Sequence, residues 1–243
     1  MNNTLIDNSI EALSMTATLR KCLAIDGIKT VSIATGYWDI PGLAILQENL
    51  RSFIEKDGTT LRLLIGKDPY IYANQLKSPK YKDANYPLDF IKTDIHELNV
   101  TEEYKDAIRL LLDYCTENND SKIQIRVFRK NENDETQFLH SKCYIFDGKS
   151  NGIGIGIVGS TNFTQKGLQG NAELNYIETA PNQVLSLDKI PGNKSHLIWF
   201  NEKWEISEPW NKQFLEQILK SAPITDDVEK ERESEQQLFT PYE

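Results

Sequence analysis

The chain has few cysteines, few histidines and no long apolar run, and each shortage excludes a class of protein. Its three cysteines, Cys22, Cys115 and Cys143, show neither disulfide-like nor metal-like spacing. No apolar stretch approaches the roughly 20 residues of a membrane-spanning helix, and the N-terminus lacks the basic region and apolar core of a secretory signal. We therefore expect a cytoplasmic protein that has no membrane partner, no metal site and no cofactor.

The charge of the chain is unevenly distributed. The net charge is −9, but residues 222–243 alone hold seven acids and two bases. We expect residues 1–221 to form one domain and residues 222–243 to be a disordered acidic tail or linker. The remaining charge of the body is mild enough for a local basic cleft to attract an anionic substrate.

Hydrophobic periodicity and turn signals predict an α/β fold. A strand–helix–strand order at residues 28–65 implies a parallel crossover. A loop is predicted at 67–86 and a short helix at 163–168. Predicted strands lie at residues 28–38, 60–65, 123–128, 138–146, 153–158 and 172–179, and predicted helices at 8–25, 41–54, 87–98, 101–117, 195–205 and 209–220.

The most informative stretch begins at His140. Residues two apart in a strand project to the same face, so His140 and Lys142 should share a face. Ser160 and Asn162 have the same relationship in the next strand-like segment. Four groups that attack, neutralise or hydrogen-bond a phosphate could therefore meet at one place, which indicates phosphodiester chemistry.

The spacing H-x-K-x4-D from His140 to Asp147, followed by G-S-x-N from Gly159 to Asn162, resembles the HKD signature of the phospholipase D superfamily. The resemblance extends to Asn171-Ala172-Glu173, where many nucleases of the superfamily carry an acidic residue. Eleven residues separate Asp147 from Gly159, more than is usual, which predicts a longer hairpin or a bulge. The resemblance implies a mixed β-sheet flanked by helices on both faces.

The resemblance also implies roles for the matching residues. His140 would be the nucleophile, and a carboxylate, for which Glu173 is the candidate, would fix its tautomer. Lys142 and Asn162 would hold the non-bridging oxygens, and Ser160 would add a hydrogen bond. Asp147 lies an odd number of residues from His140, so it is either structural or orienting, or simply a turn residue before Gly148.

The motif occurs once in the sequence. Neither His96 nor His196 has a lysine two places on. The resemblance therefore implies a homodimer in which two copies of His140 face each other, one as nucleophile and one as general acid. No divalent cation is required by this mechanism.

Basic and aromatic residues suggest where nucleic acid would bind, although ordinary surface charge explains them equally well. Tyr37 ends the first predicted strand, where ligands of open α/β sheets bind. The basic candidates lie next to the strand before the motif and in the 67–86 loop: Lys122, Arg126, Lys130, Lys77, Lys80 and Lys82.

Two other motifs are weaker. Residues 154–159 match the dinucleotide pattern G-x-G-x-x-G, but glycines alternate with isoleucines there, which predicts a strand with one bare face. Glu103 and Lys105 form the end of a metal-nuclease pattern without its partner acid, and a solvated helix face explains them better.

The sequence thus predicts a metal-independent phosphodiesterase acting on DNA or RNA, with a DNA endonuclease preferred. The segment from Ser32 to Tyr37 and the single motif resemble nuclease modules of bacterial restriction systems or of helicases, which implies a helicase or specificity partner. Two alternatives remain open. One is a phospholipid hydrolase or phosphatidyl transferase with the same chemistry, and the other is a non-catalytic DNA-binding module.

Overall fold

A computed structural model describes residues 5–66, 102–117, 120–128, 139–188 and 194–217. The strands are β1 Leu5–Asp7, β2 Thr30–Thr35, β3 Thr60–Ile65, β4 Ile123–Val127, β5 Cys143–Asp147, β6 Gly154–Gly159, β7 Leu174–Glu178 and β8 Glu208–Pro209. The helices are α1 Met15–Leu23, α2 Ile40–Ile45, α3 Gln47–Ile54, α4 Glu102–Tyr114, α5 Pro181–Leu185, α6 His196–Glu205 and α7 Asn211–Gln217.

The described strands form one mixed sheet in the order β1-β7-β6-β5-β2-β3-β4-β8. Strands β2, β3 and β4 are parallel, which confirms the predicted crossover between the first two. Strand β5 runs antiparallel to both β2 and β6, and β6 pairs antiparallel with β7. The carboxyl ends of β2, β3, β4 and β6 therefore meet the amino ends of β5 and β7 at one edge of the sheet.

Apolar side chains on both faces of the sheet explain the helical layers. One core contains Ile33 and Tyr144 from the sheet and is covered by α1 to α4 and α7. The other core contains Ala34 and Ile145, which directly follow Ile33 and Tyr144 in the sequence, and it is covered by α5 and α6. The alternation of side chains along β2 and β5 thus supplies two cores, and the predicted α/β sheet with helices on both faces is confirmed.

Several predicted boundaries are corrected by polar contacts. The first helix starts at Met15 because the Ser14 hydroxyl accepts the Ala17 N–H and the Asn8 side chain accepts the Met15 N–H. The predicted 41–54 helix is two helices, which are separated at Leu46. The predicted 163–168 helix is a π-helical turn at Lys166–Gly170.

The strand that leads into the motif is shorter than predicted. The prediction covers residues 138–146, but β5 begins only at Cys143, so His140 and Lys142 precede the strand. The hairpin from β5 to β6 is present, with a 3-10 turn at Lys149–Asn151. The predicted loop at 67–86, the helix at 87–98 and the tail at 222–243 lie outside the described residues. Among the helices described, none has the length and apolarity needed to cross a membrane.

Candidate active site

The predicted catalytic residues are brought together by the sheet topology. His140 and Lys142 lie just before β5, and Ser160 and Asn162 lie just after β6. Because β5 and β6 are antiparallel neighbours, the start of one meets the end of the other. Glu173 directly precedes β7, which pairs with β6. All five residues therefore lie at the same edge of the sheet.

The position of His140 depends on two close backbone contacts. Gly66, just beyond β3, leaves no room for a side chain, since a methyl group there would lie 1.9 Å from the carbonyl oxygen of Leu139. Gly36, just beyond β2, lies under the imidazole, and a methyl group there would lie 3.1 Å from His140 Cδ2. The same methyl group would lie 3.3 Å from Asn162 Oδ1. The exposed His140 ring and the Asn162 amide therefore reach the same point.

Lys142 is a buried cation at this edge. Its residue is only 7% exposed, and Nζ donates a hydrogen bond to the carbonyl oxygen of His140 at 2.7 Å. The ammonium thus holds the backbone of the histidine. A partly desolvated cation interacts more strongly with an anion than one in water, so this arrangement suits a phosphate group at His140.

A buried polar network shapes the turn from Ser160 to Asn162. Thr161 is fully buried, and its N–H donates to Asn175 Oδ1 at 3.2 Å, while Asn175 Nδ2 donates to Thr161 Oγ1 at 2.8 Å. The Tyr144 hydroxyl donates to the Thr161 carbonyl oxygen at 2.8 Å. Burial raises the pKa of Tyr144 well above its usual range, and the nearby carboxylate of Glu173 acts in the same direction. Tyr144 therefore stays a neutral hydrogen-bond donor.

The outer residues of this turn use their side chains differently. The Ser160 hydroxyl accepts the Leu174 N–H at 3.1 Å, and the Ser160 N–H donates to the Leu174 carbonyl at 3.2 Å. Ser160 thus extends the pairing of β6 with β7. Asn162 Oδ1 accepts the N–H of Tyr37 at 3.2 Å, which joins the end of β2 to the end of β6.

Glu173 lies beside this network, half-buried. Its carboxylate accepts a hydrogen bond from Asn171 Nδ2 at 3.1 Å, and its backbone carbonyl accepts the Asn8 N–H at 3.3 Å. The predicted orienting acid lies at the same edge of the sheet as the histidine, and its role stays a prediction.

Asp147 lies at the opposite edge of the sheet from His140. It is paired with Thr30 at the start of β2, and its carboxylate accepts the Lys149 N–H at 2.6 Å. The side chain therefore closes the turn after β5. Of the sequence-based alternatives for Asp147, this contact agrees with the turn residue.

The structure does not bring Lys122 and Arg126 to the site. Lys122 precedes β4, at the opposite edge, and its ammonium donates to the Ile54 carbonyl at 2.7 Å. Arg126 donates to the Trp204 carbonyl at 2.7 Å and lies over the indole ring of Trp204 at 5.1 Å. Both cations therefore donate hydrogen bonds to carbonyl groups near the C-terminal ends of helices, Lys122 at α3 and Arg126 at α6. Tyr37 is half-buried and borders the site, whereas Lys77, Lys80, Lys82 and Lys130 lie outside the described residues.

The glycine-rich strand is explained by helix packing. A methyl group on Gly154 would lie 2.7 Å from Leu185 Cγ, and one on Gly156 would lie 2.8 Å from His196 Cδ2. The bare face of β6 thus admits α5 and α6, as a strand with one bare face predicts. His196 is held there by the Gln183 carbonyl at 3.2 Å, away from the site edge. Glu103 and Lys105 lie on helix α4, as predicted.

Four residues of this edge were missed by the sequence-based prediction: Thr35, Gly36, Asn175 and Tyr144. Thr35 and Asn175 are 0% and 2% exposed. A polar residue at an inward position of an apolar strand is the signal that could have found them. Among the described residues, His, Cys, Asp and Glu side chains form no group of three that could hold a metal ion.

An α/β sheet with a histidine, a buried lysine and an asparagine at one edge defines a protein of the phospholipase D type. The family model described as cardiolipin synthase, PLD-like domain, matches residues 22–190. The chain belongs to this family, and the resemblance seen in the sequence is confirmed. No curated protein matches the chain.

The solved structures similar to this chain include three bacterial proteins. Nuc from Salmonella typhimurium, a phospholipase D family member, has 13% identity over 84% of this chain and 95% of its own, with a TM-score of 0.46. NucT from Helicobacter pylori has 12% identity over 85% of this chain and 97% of its own, with a TM-score of 0.42. Polyphosphate kinase from Porphyromonas gingivalis has 10% identity over 77% of this chain and 20% of its own, with a TM-score of 0.36.

Proposed function

We propose that this protein is a metal-independent phosphodiesterase that cleaves nucleic acid, with DNA as the expected substrate, through a phosphohistidine intermediate. The observation that carries the proposal is the meeting of the His140 ring and the Asn162 amide over Gly36. The nucleophile then lies beside an amide whose Nδ2 group can donate to the non-bridging oxygens of the same phosphate. The buried ammonium of Lys142 beside them supports the same assignment.

In the proposed reaction, a free ring nitrogen of neutral His140 attacks phosphorus, and the phosphorus–nitrogen bond forms as the bond to the leaving oxygen breaks. The leaving oxygen takes a proton from an imidazolium on the opposite side. Water then attacks phosphorus, gives its proton to that second imidazole and releases His140. Glu173 stabilises the positive charge of the phosphorylated ring.

The second imidazole must lie across from His140, because the displacement is in line. We assign it to His140 of a second copy of the chain, so the active form is a homodimer with a two-fold axis at the site edge. The exposed position of His140 at the rim of the sheet supports this assignment, since a buried ring could not face a second molecule. A mixture of inactive His140→Ala chains with wild-type chains should then contain heterodimers that retain only a small fraction of the activity.

Lys142 and Asn162 stabilise the charge that develops on the non-bridging oxygens. The Lys142 ammonium and the Asn162 amide are both held by hydrogen bonds at the edge of the sheet, so they need little reorganisation during the reaction. All the roles in the mechanism fall on side chains of the chain itself. We therefore expect activity in an excess of EDTA.

Nucleic acid is the preferred substrate because Tyr37 borders the phosphate site, where its ring could stack on a base. The motif also occurs once, as in the nuclease modules of restriction systems and helicases, and we propose a helicase or a specificity subunit as the partner of this protein. The family description supports a second candidate, a phospholipid hydrolase or phosphatidyl transferase. Both candidates use the same site.

A paired assay separates the candidates. Purified protein and His140→Ala would be incubated in EDTA with labelled single- and double-stranded DNA, with RNA, and with vesicles of phosphatidylglycerol and cardiolipin. Cleavage of DNA or RNA alone, lost in the variant, supports the nuclease. Cleavage of lipid alone contradicts it in favour of the second candidate, and binding of DNA without cleavage by the assembled dimer contradicts both enzymes and favours a DNA-binding module.

A further inference from the structure

The segment Thr35-Gly36-Tyr37, at the carboxyl end of β2, lies beneath both halves of the site. The methyl group that alanine would add at Gly36 lies 3.1 Å from His140 Cδ2 and 3.3 Å from Asn162 Oδ1. Such distances are shorter than ordinary van der Waals contact, so a side chain there would press on both groups at once. Glycine at this position therefore sets how closely the imidazole and the amide approach.

Thr35 holds the other side of this arrangement. The residue is 0% exposed, and its Oγ1 accepts the N–H of Phe163 at 3.0 Å while donating to the carbonyl oxygen of Tyr37. The same oxygen lies 3.4 Å from Asn162 Oδ1. The Thr35 hydroxyl therefore joins the backbone of Tyr37, which follows Gly36, to the backbone of Phe163, which follows Asn162.

These contacts fix the orientation of the Asn162 amide. The Tyr37 N–H can only donate, so the amide atom at 3.2 Å from it must be the oxygen. The Tyr37 N–H is the contact that fixes the amide, since the single proton of the Thr35 hydroxyl is donated to the Tyr37 carbonyl oxygen. The Nδ2 group lies on the other branch of the amide, where it can donate to a substrate oxygen. A flipped amide would instead set two donors against each other.

We propose that Thr35 and Gly36 are positioning residues for the phosphodiester site: Thr35 fixes the turn that presents the Asn162 amide nitrogen to the phosphate, and Gly36 sets the separation of that amide from the His140 ring. The inference rests on the proposed function. It assigns to the end of β2 a part of the site that the H-x-K and G-S-x-N segments do not contain.

The kinetic test uses matched variants and bis(p-nitrophenyl) phosphate in EDTA. Thr35→Val keeps the shape but removes the hydroxyl, and we expect kcat to fall at least ~10-fold while KM changes less than ~2-fold. Thr35→Ser restores the hydroxyl and should recover most of kcat. Gly36→Ala should lower kcat and shift the pH profile of kcat, because it presses on His140. Gly170→Ala is the control, since the nearest atom to its added methyl group lies 3.9 Å away.

Equal loss of kcat in Thr35→Val and Thr35→Ser, or wild-type kcat and pH profile in Gly36→Ala, would overturn the inference. A second measurement separates its failure from that of the proposed function. Side-chain NMR signals of the Asn162 amide, assigned with Asn162→Asp, and of the His140 ring need no turnover. Shifts in Thr35→Val and Gly36→Ala, but not in Thr35→Ser, support the positioning role even if the wild-type protein cleaves nothing. Unchanged signals in all variants contradict it.

Discussion

Asn175→Ala should destabilise the protein and disable the site together. Asn175 is 2% exposed, and its amide makes two hydrogen bonds to Thr161, at 3.2 Å and 2.8 Å. Alanine would leave the N–H and the hydroxyl of a fully buried threonine without these partners. A buried polar group that loses its hydrogen bond costs about 1–3 kcal/mol. The two losses together should therefore cost about 3 kcal/mol, with part of the cost recovered where water enters.

The measurement is thermal unfolding followed by circular dichroism. For a chain of this size 1 kcal/mol corresponds to about 2–4 °C, so the variant should unfold about 6–12 °C below the wild-type protein. Because Thr161 lies between Ser160 and Asn162, kcat should also fall at temperatures where the variant is fully folded. Asn182→Ala, at an exposed position, is the matched control and should leave the unfolding temperature unchanged. An Asn175→Ala variant as stable as this control would refute the reasoning.

Three further predictions concern burial and close contact. Burial raises the pKa values of Cys22, Cys115 and Cys143 from 9.0 to about 12. The folded state thus favours the neutral thiols. Their contribution to the free energy of unfolding is complete below pH 9. As the pH rises from 9 towards 12, the free energy of unfolding falls by up to about 1.4 kcal/mol per pH unit for each thiol. Urea unfolding between pH 8 and 11 should show the loss, and a flat stability would contradict it. Gly66→Ala, whose methyl group would lie 1.9 Å from the Leu139 carbonyl, should displace His140 and lower both kcat and the unfolding temperature, whereas wild-type kinetics would contradict the contact. Lys142→Ala should lower kcat by about 100-fold. Lys142→Arg should not restore it, because a planar guanidinium differs in shape from the buried ammonium that donates to the His140 carbonyl; an active Lys142→Arg variant would contradict this reasoning.

Local pattern was enough to predict six of the eight described strands, but not the short edge strands β1 and β8. The β-branched and apolar runs predict β3 and β4 to within one residue at each end. The parallel order of β2 and β3 follows from the helices between them. The same pattern predicted that His140, Lys142, Ser160 and Asn162 would meet on one face of neighbouring strands, whereas the structure brings them together at the ends of β5 and β6. The pattern misplaced the start of β5, because the apolar Leu139 is typical of a strand. In the structure Leu139 lies before β5, and its carbonyl group packs against Gly66.

The use of long side chains could not be predicted from sequence spacing. Lys122 and Arg126 resemble free surface cations in the sequence, yet both donate to backbone carbonyls of residues more than 60 positions away. The parts played by Thr35 and Asn175 likewise depend on neighbours that only the folded sheet brings close. A polar residue inside an apolar strand signals that such a neighbour exists, but it does not say which one.

The central claim is that His140 forms a covalent bond to phosphorus without a metal. The most direct measurement incubates wild-type protein and His140→Ala with 5′-labelled and 3′-labelled DNA in excess EDTA, quenches at neutral or alkaline pH, and looks for an acid-labile protein–DNA adduct. We predict cleavage and an adduct at His140 in the wild-type protein, and neither in the variant. Cleavage that EDTA abolishes, or that persists in His140→Ala, would contradict the account.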